Sequence, residues 1–273
     1  VRAIDAPASR SPPAFFRLWG LGPPAADREL RIAAYVGDPD RVVLNRAFRD
    51  RPAVVATTLA HEYVHVVQFR EDVFAAVGLP DAGPDADATS TAVTEGAAAF
   101  AADTYWRRYR ADGARPGDRP GASVRRLYEN ASGIGRWTAA PYRFGYRYVR
   151  ARAGDPAALP AVYDDPPTTT EQVLHPGVEE GPVALRTRAA GSDAWRVVGS
   201  GRRMGELFVR VALSTGLSER RAAAAADGWG TDARLGFVNG TGARGFAWVL
   251  RFDDPANATE FEDALAAYLA GRT

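Results

Sequence analysis

The sequence predicts an α+β fold, mainly helical, with a small mixed sheet packed on the helices that carry its polar centre. Three observations lead there. Long runs with apolar residues at helical spacing, "VVATTLAHEYVHVVQF" (54–69) and "TAVTEGAAAFAADTYW" (91–106), are prominent. Runs with strand character are short, few and bounded by turn residues. Finally, 273 residues suffice for a sizeable core, and 46% hydrophobic with 25% charged residues is ordinary soluble globular composition.

The elements follow in order. Residues 1–28, rich in Pro and Ala, read as an irregular arm on the surface. Residues 29–273 then form one domain, or two lobes, 29–160 and 161–273. "ELRIAAYVG", "DPD" and "RVVLNRAF" read as strand, tight turn and strand. Pro52 suits a first helical turn, and that helix runs to about Val77 before "GLPDAGPDAD". The next helix starts near Asp87 or Thr89 and passes through Gly96, a residue that costs helix stability unless close packing requires it. "ARPGDRPGAS" is a loop, followed by helical or mixed segments at 124–130 and 141–152.

In "VYDDPPTTTEQVLHPG", Thr170 to His175 has room for one or two helical turns before Pro176. "PVALRTR" and "WRVVGSG" suggest strands, whereas "MGELFVRVALS" and "SERRAAAAAD" suggest helices. "ARLGFVNG" with "RGFAWVLRFDD" reads as a hairpin. A closing helix is capped by Asn257 or Thr259, with Phe261, Leu265, Tyr268 and Leu269 as its apolar stripe.

Charge and composition narrow the function. The formal net charge of +1 implies no polyanionic partner, and no nucleic-acid motif or phosphate-binding loop is present. The absence of cysteine excludes disulfides, thiolate ligands and cysteine nucleophiles. No stretch has the length and apolarity of a transmembrane segment. "RAIDAPASRSPPAFFRLWG" lacks an apolar signal core. A secreted or cell-envelope protein that has lost a leader and a cytoplasmic protein both stay open.

The central constellation is "HEYVH". On a helix, His61 and His65 lie one turn apart on one face, so both imidazoles can approach one cation. Glu62 can then stay off the metal and take a proton from water. The plain alternative is a pair of core histidines satisfied by ordinary hydrogen bonds beside a structural glutamate. A catalytic zinc takes a third protein ligand. The extended pattern with a glycine and a third histidine is absent, because Gln68 and Glu71 occupy those positions. A carboxylate from another helix is the best third ligand, and "VTEGAAAF" supplies Glu95, where Val93, Ala97 and Phe100 face inward. Gly96 beside it would let two helices approach closely.

"HEYVH" followed about thirty residues later by "TEGAAAF" resembles the glutamate-zinc (gluzincin) branch of the zincin metallopeptidases, over residues 30–108. Thermolysin-like enzymes and a group of aminopeptidases share that plan. The resemblance implies a zincin-like catalytic domain with His61, His65 and Glu95 as ligands of one Zn2+ and Glu62 as general base. It also implies that the strand pair ahead of the helix belongs to a small sheet whose edge can hold an extended peptide. "TTTEQVLHP" and "GWGTDARLGF" are similar to an uncharacterised zincin-like group of bacterial proteins. The glycine-and-methionine exopeptidase motif of the aminopeptidases is absent.

Other residues are candidates for support. His175 is either a surface histidine or a donor to the developing oxyanion opposite the base, a role also open to Tyr163 and Tyr142. Glu171 can hydrogen-bond His175 or a ligand histidine. Asp232 is a cap, or orients a histidine, within a turn shaped by Gly228 and Gly230. Glu206 reads as half of a buried salt bridge to an arginine. The expected function is zinc-dependent hydrolysis of peptide bonds, with a peptide or protein as substrate. The alternative is a non-catalytic zincin-like scaffold that binds a protein, a peptide or a cell-wall component.

Overall fold

The computed structural model describes residues 11–23, 34–80, 83–109 and 119–272. The parts of the arm at 1–10 and 24–28, of the first strand at 29–33 and of the loop at 114–118 lie outside the described residues. The element order begins α1 (Ala14–Leu18), β1 (Ala34–Asp38), β2 (Arg41–Leu44), α2 (Pro52–Arg70), α3 (Val73–Ala76) and α4 (Pro84–Tyr109). It continues α5 (Pro120–Asn130), α6 (Ile134–Ala153), α7 (Leu159–Asp164) and α8 (Thr170–Leu174). The remainder is β3 (Trp195–Arg202), α9 (Glu206–Leu213), α10 (Glu219–Ala224), β4 (Trp229–Asn239), β5 (Arg244–Phe252) and α11 (Pro255–Ala270). The fold is α+β. Both sheets among the described residues are antiparallel, which corrects the mixed sheet expected.

Two compact units divide the chain: residues 1–11, 24–78 and 89–167, and residues 12–23, 79–88 and 168–273. In the first, β1 and β2 pair around a turn in which Asp40 N–H donates to Asp38 Oδ1, and β1 packs on α2. Pro52 opens α2, where its missing N–H leaves no helical bond unmade. The single helix expected as far as Val77 is broken after Arg70. Asp72 adopts a left-handed φ of 52°, which ends α2 and starts the short α3.

The buried positions of α2 are Glu62, His65 and Gln68, three residues apart on one face. Most of its apolar residues, Val54, Leu59, Val64 and Phe69 among them, are only half-buried, and Tyr63 is 57% and Val67 54% exposed. The face turned inward is polar because it meets hydrogen-bonding groups from α4 and α7. Helix α4 does bury Val93, Ala97 and Phe100. Its Gly96 lies against Gly145 of α6, where a Cβ would meet the Gly145 carbonyl carbon at 2.4 Å. A Cβ on Gly145 would meet the Ala92 carbonyl oxygen at 2.0 Å. The close approach at Gly96, expected as room for Glu95 to reach an ion, instead joins α4 to α6. Helix α6 starts at Ile134 rather than at Pro141, which it holds in its interior with one backbone donor missing.

Asp103, fully buried on α4, ties this bundle together. It accepts from Arg119 Nε and Nη2 at 2.7 and 2.8 Å, from Gly121 N–H at 2.9 Å and from the Tyr146 hydroxyl at 3.0 Å. These bonds hold its carboxyl below the usual range against the effect of burial.

In the second unit, β4 lies between β3 and β5. Residues 182–188, expected as a strand, carry none, although Val183 N–H donates to Gly230 O at 3.0 Å. Helix α9 is buried along almost its whole length and packs with Trp229, Phe252, Phe261 and Tyr268. Part of the expected surface arm is also core. Phe15 and Phe16 of α1 are buried and lie 5.7 and 4.9 Å from the Phe208 ring, centroid to centroid. Asp254, not Asn257 or Thr259, caps α11 by accepting from Ala256 and Asn257 N–H. Ala264 joins Phe261 and Tyr268 on its buried face, while Leu269 is exposed.

Candidate functional site

The first unit brings five of the predicted site residues, His61, Glu62, His65, Glu95 and Tyr142, to one place. His61 and His65 leave α2 one turn apart, and Glu95 reaches them from α4. His61 Nε2 lies 3.2 Å from Glu95 Oε2 and 3.2 Å from His65 Nε2, and His65 Nε2 lies 3.4 Å from Glu95 Oε2. Three donor atoms thus form a nearly equilateral triangle. Zinc–ligand bonds of about 2.0–2.1 Å give a tetrahedron an edge of about 3.3–3.4 Å, so these residues fit a zinc ion without rearrangement.

Gln68, which the sequence reading treats only as a departure from the extended motif, fixes the chemistry of His65. Its amide nitrogen donates to Thr94 O and to the Tyr163 hydroxyl, each at 3.0 Å. A carbonyl can only accept, so the amide cannot be reversed, and Gln68 Oε1 faces His65 Nδ1 at 2.7 Å. Nδ1 must carry the proton. With Nδ1 held protonated, Nε2 is the nitrogen turned toward His61 and Glu95, and it is the one left to bind a metal once its own proton is lost. The available signal for Gln68 was its position three residues beyond His65 on the same helix face. Tyr163 takes part at one remove, through Gln68.

The electrostatics concentrate charge at this point. Burial opposes ionisation of Glu95, but hydrogen bonds from His61 and His65 outweigh it and hold the carboxyl at about 2. Burial lowers the His65 pKa, but hydrogen bonding and charge from Glu95 raise it overall. Burial pushes Glu62 up; the charges of His61 and His65 pull it down and that of Glu95 adds to the rise. Tyr142 of α6 is raised by burial and then by Glu95, with which it hydrogen-bonds, so its hydroxyl keeps its proton. A cavity of about 730 Å³ opens on these groups. Val54 and Phe69 of α2 and Leu127 of α5 give it apolar walls, Tyr142 lines it, and Ala34 to Val36 of β1 form one side.

His175, Glu171 and Asp232 belong to the second unit and do not line this cavity. His175 Nε2 lies 2.9 Å from Glu206 Oε1 and 3.5 Å from Asp227 Oδ1. The buried partner expected for Glu206 is thus this histidine rather than an arginine. Glu171 accepts the His175 N–H through its backbone carbonyl, as the end of α8. Asp232 orients no histidine. It accepts from Met204 and Gly205 N–H and from the indoles of Trp229 and Trp248, at 2.8 to 3.1 Å, and so anchors the approach to α9. Trp229 is fully buried, and together with Gly230, expected to shape a turn, it opens strand β4.

A family model described as a domain of unknown function (DUF8575) matches residues 196–273. No curated protein and no solved structure matches the chain. The matched stretch runs from β3 through α11, and contains Glu206, Asp227 and Asp232. His61, His65 and Glu95 lie outside it. Among the described residues, no helix is long and apolar enough to cross a membrane.

Proposed function

We propose that the protein is a zinc-dependent peptidase of zincin type, with the gluzincin-like ligand set His61, His65 and Glu95. The observation that carries this reading is the 3.2, 3.2 and 3.4 Å triangle of donor atoms, with Glu62 buried beside it on the same cavity. The resemblance of "HEYVH" and "TEGAAAF" to that branch supports it. A zinc ion bound there supplies a Lewis acid and makes water acidic enough to be deprotonated near neutral pH.

The chain's own residues do the rest. Glu62 accepts the proton of the attacking water and returns it to the leaving nitrogen. Tyr142, protonated and in the same cavity, donates to the oxyanion by turning its hydroxyl away from Glu95; this is the role for which sequence favoured His175. Gln68 keeps His65 in the ligating tautomer. The cavity flanked by β1 suits an extended peptide, and its apolar walls suit a hydrophobic side chain next to the scissile bond.

Glu62→Gln is the direct test. Elemental analysis paired with cleavage of a peptide library should show full zinc content and a rate lowered by roughly 10²–10⁴-fold, the usual contribution of a general base. Undiminished cleavage by that variant would remove Glu62 from the reaction. Zinc binding with no cleavage by the wild-type chain would instead leave a zinc-binding scaffold.

A further inference from the structure

A second group of ligating side chains lies in the second unit and takes no part in the hydrolysis proposed above. His175 caps the C-terminus of α8, Glu206 opens α9 and Asp227 stands just ahead of β4. Each offers one donor atom within 4.8 Å of the other two. From His175 Nε2 the distances are 2.9 Å to Glu206 Oε1 and 3.5 Å to Asp227 Oδ1.

A histidine–carboxylate ion pair explains only part of this. The Glu206 side chain is 1% exposed, and His175 satisfies one of its oxygens. The other, Oε2, is buried with no hydrogen-bond partner among the described residues. Buried carboxylate oxygens are rarely left so, because a lost hydration shell goes unreplaced. Glu171 is also buried, and burial together with the charges of Glu206 and Asp253 pushes it up to about 8, so it keeps its proton near neutral pH and does not compete for a cation. Arg210 is the cation acting on Glu206 besides His175. Asp227, at 62% exposed, and His175, at 35%, leave the cluster open to solvent on one side. A cation could therefore reach a floor formed by Glu206.

We infer that His175, Glu206 and Asp227 bind a divalent first-row transition-metal ion, of the Zn2+ or Mn2+ kind, at a site separate from His61, His65 and Glu95. The ligand chemistry selects that class. An imidazole nitrogen among carboxylates suits Zn2+ or Mn2+, whereas Ca2+ and Mg2+ prefer oxygen throughout. The two separations from His175 fall within the roughly 2.8–3.6 Å expected between neighbouring ligands with bonds of about 2.0–2.2 Å. Glu206 Oε2 gains its missing partner by joining the coordination shell. The ion would clamp the end of α8, the start of α9 and the approach to β4, which makes its role structural. The inference does not rest on the proposed peptidase activity.

The full chain, stripped with a chelator, reloaded with Zn2+ and desalted, is assayed for metal per chain by mass spectrometry. Wild type should hold two equivalents. Asp227→Asn and His175→Gln should each lose one, and His61→Gln should lose the other. Asp227 is exposed, so its variant keeps the fold, as circular dichroism will verify. A wild-type chain with no equivalent sensitive to either His175→Gln or Asp227→Asn overturns the second site. Loss of only the His61-sensitive equivalent would instead count against the peptidase reading and leave this one standing.

Discussion

Helices α2 and α9 use burial in opposite ways. In α2 the residues removed from water are Glu62, His65 and Gln68, while Tyr63 and Val67 stay largely in it. In α9, Leu207, Phe208, Val209, Val211, Ala212 and Leu213 are all fully buried, with Glu206 at the helix start. Burying polar groups is unfavourable unless they find partners, and His65 and Gln68 find theirs in Glu95, Thr94 and Tyr163. Burying apolar groups is favourable without any such matching. One helix therefore holds a chemical centre in a defined geometry, and the other holds its unit together. Substitutions should separate the two contributions.

The largest effect on stability is expected at Phe208. It packs against Phe15, Phe16 and Trp248, so Phe208→Ala should cost roughly 3–5 kcal/mol in denaturant unfolding. A cost no greater than that of a surface change would mean that the aromatic cluster is not the core of its unit. Next comes Gln68→Ala, which strips a fully buried amide of three hydrogen bonds: it should cost roughly 1–3 kcal/mol in unfolding and lower zinc affinity of the folded variant by about 10–100-fold, measured by competition with a chelator. Unchanged affinity would show that His65 needs no help to hold its tautomer.

Smaller still is a pH effect in the second unit. Glu171 has an ordinary pKa of 4.5 but keeps its proton up to about 8 in the folded chain. Between those values the folded state binds more protons than the unfolded one. The stability contributed by neutral Glu171 is complete below pH 4.5 and is lost as pH rises through about 8. In metal-free protein, the urea midpoint should fall across that window, and Glu171→Gln should flatten the slope; an equal slope in both would assign it to other groups. The smallest effect belongs to the exposed face of α2. Tyr63→Ala should change stability by no more than about 0.5 kcal/mol, and a larger loss in unfolding experiments would show that this face is covered in solution.

Much of the site was legible in the sequence because helix geometry is local. The spacing of His61 and His65 puts them on one face wherever an α-helix forms, and Pro52 and the apolar runs make that helix expected. Glu95 was reachable by elimination, since few carboxylates sit on a neighbouring helix with small residues around them. Gln68 was not, because its role depends on Thr94 O and Tyr163, 26 and 95 residues away along the chain. Likewise "AFFRLW" looked like part of a loose arm. Its aromatic rings acquire meaning only beside Phe208 and Trp248, far along the chain.

The sequence by itself determined the α+β class, the order of most helices, the hairpin of β4 and β5 and the facing pair His61 and His65. Each of these follows from interactions between residues close in sequence, whose periodicity and turn chemistry repeat in any context. Tertiary structure alone decided that α2 turns its polar face inward, that Gly96 meets Gly145, and that His175 pairs with Glu206. Those outcomes depend on which distant groups occupy the facing surface, and pairing of that kind leaves no periodic trace in the chain.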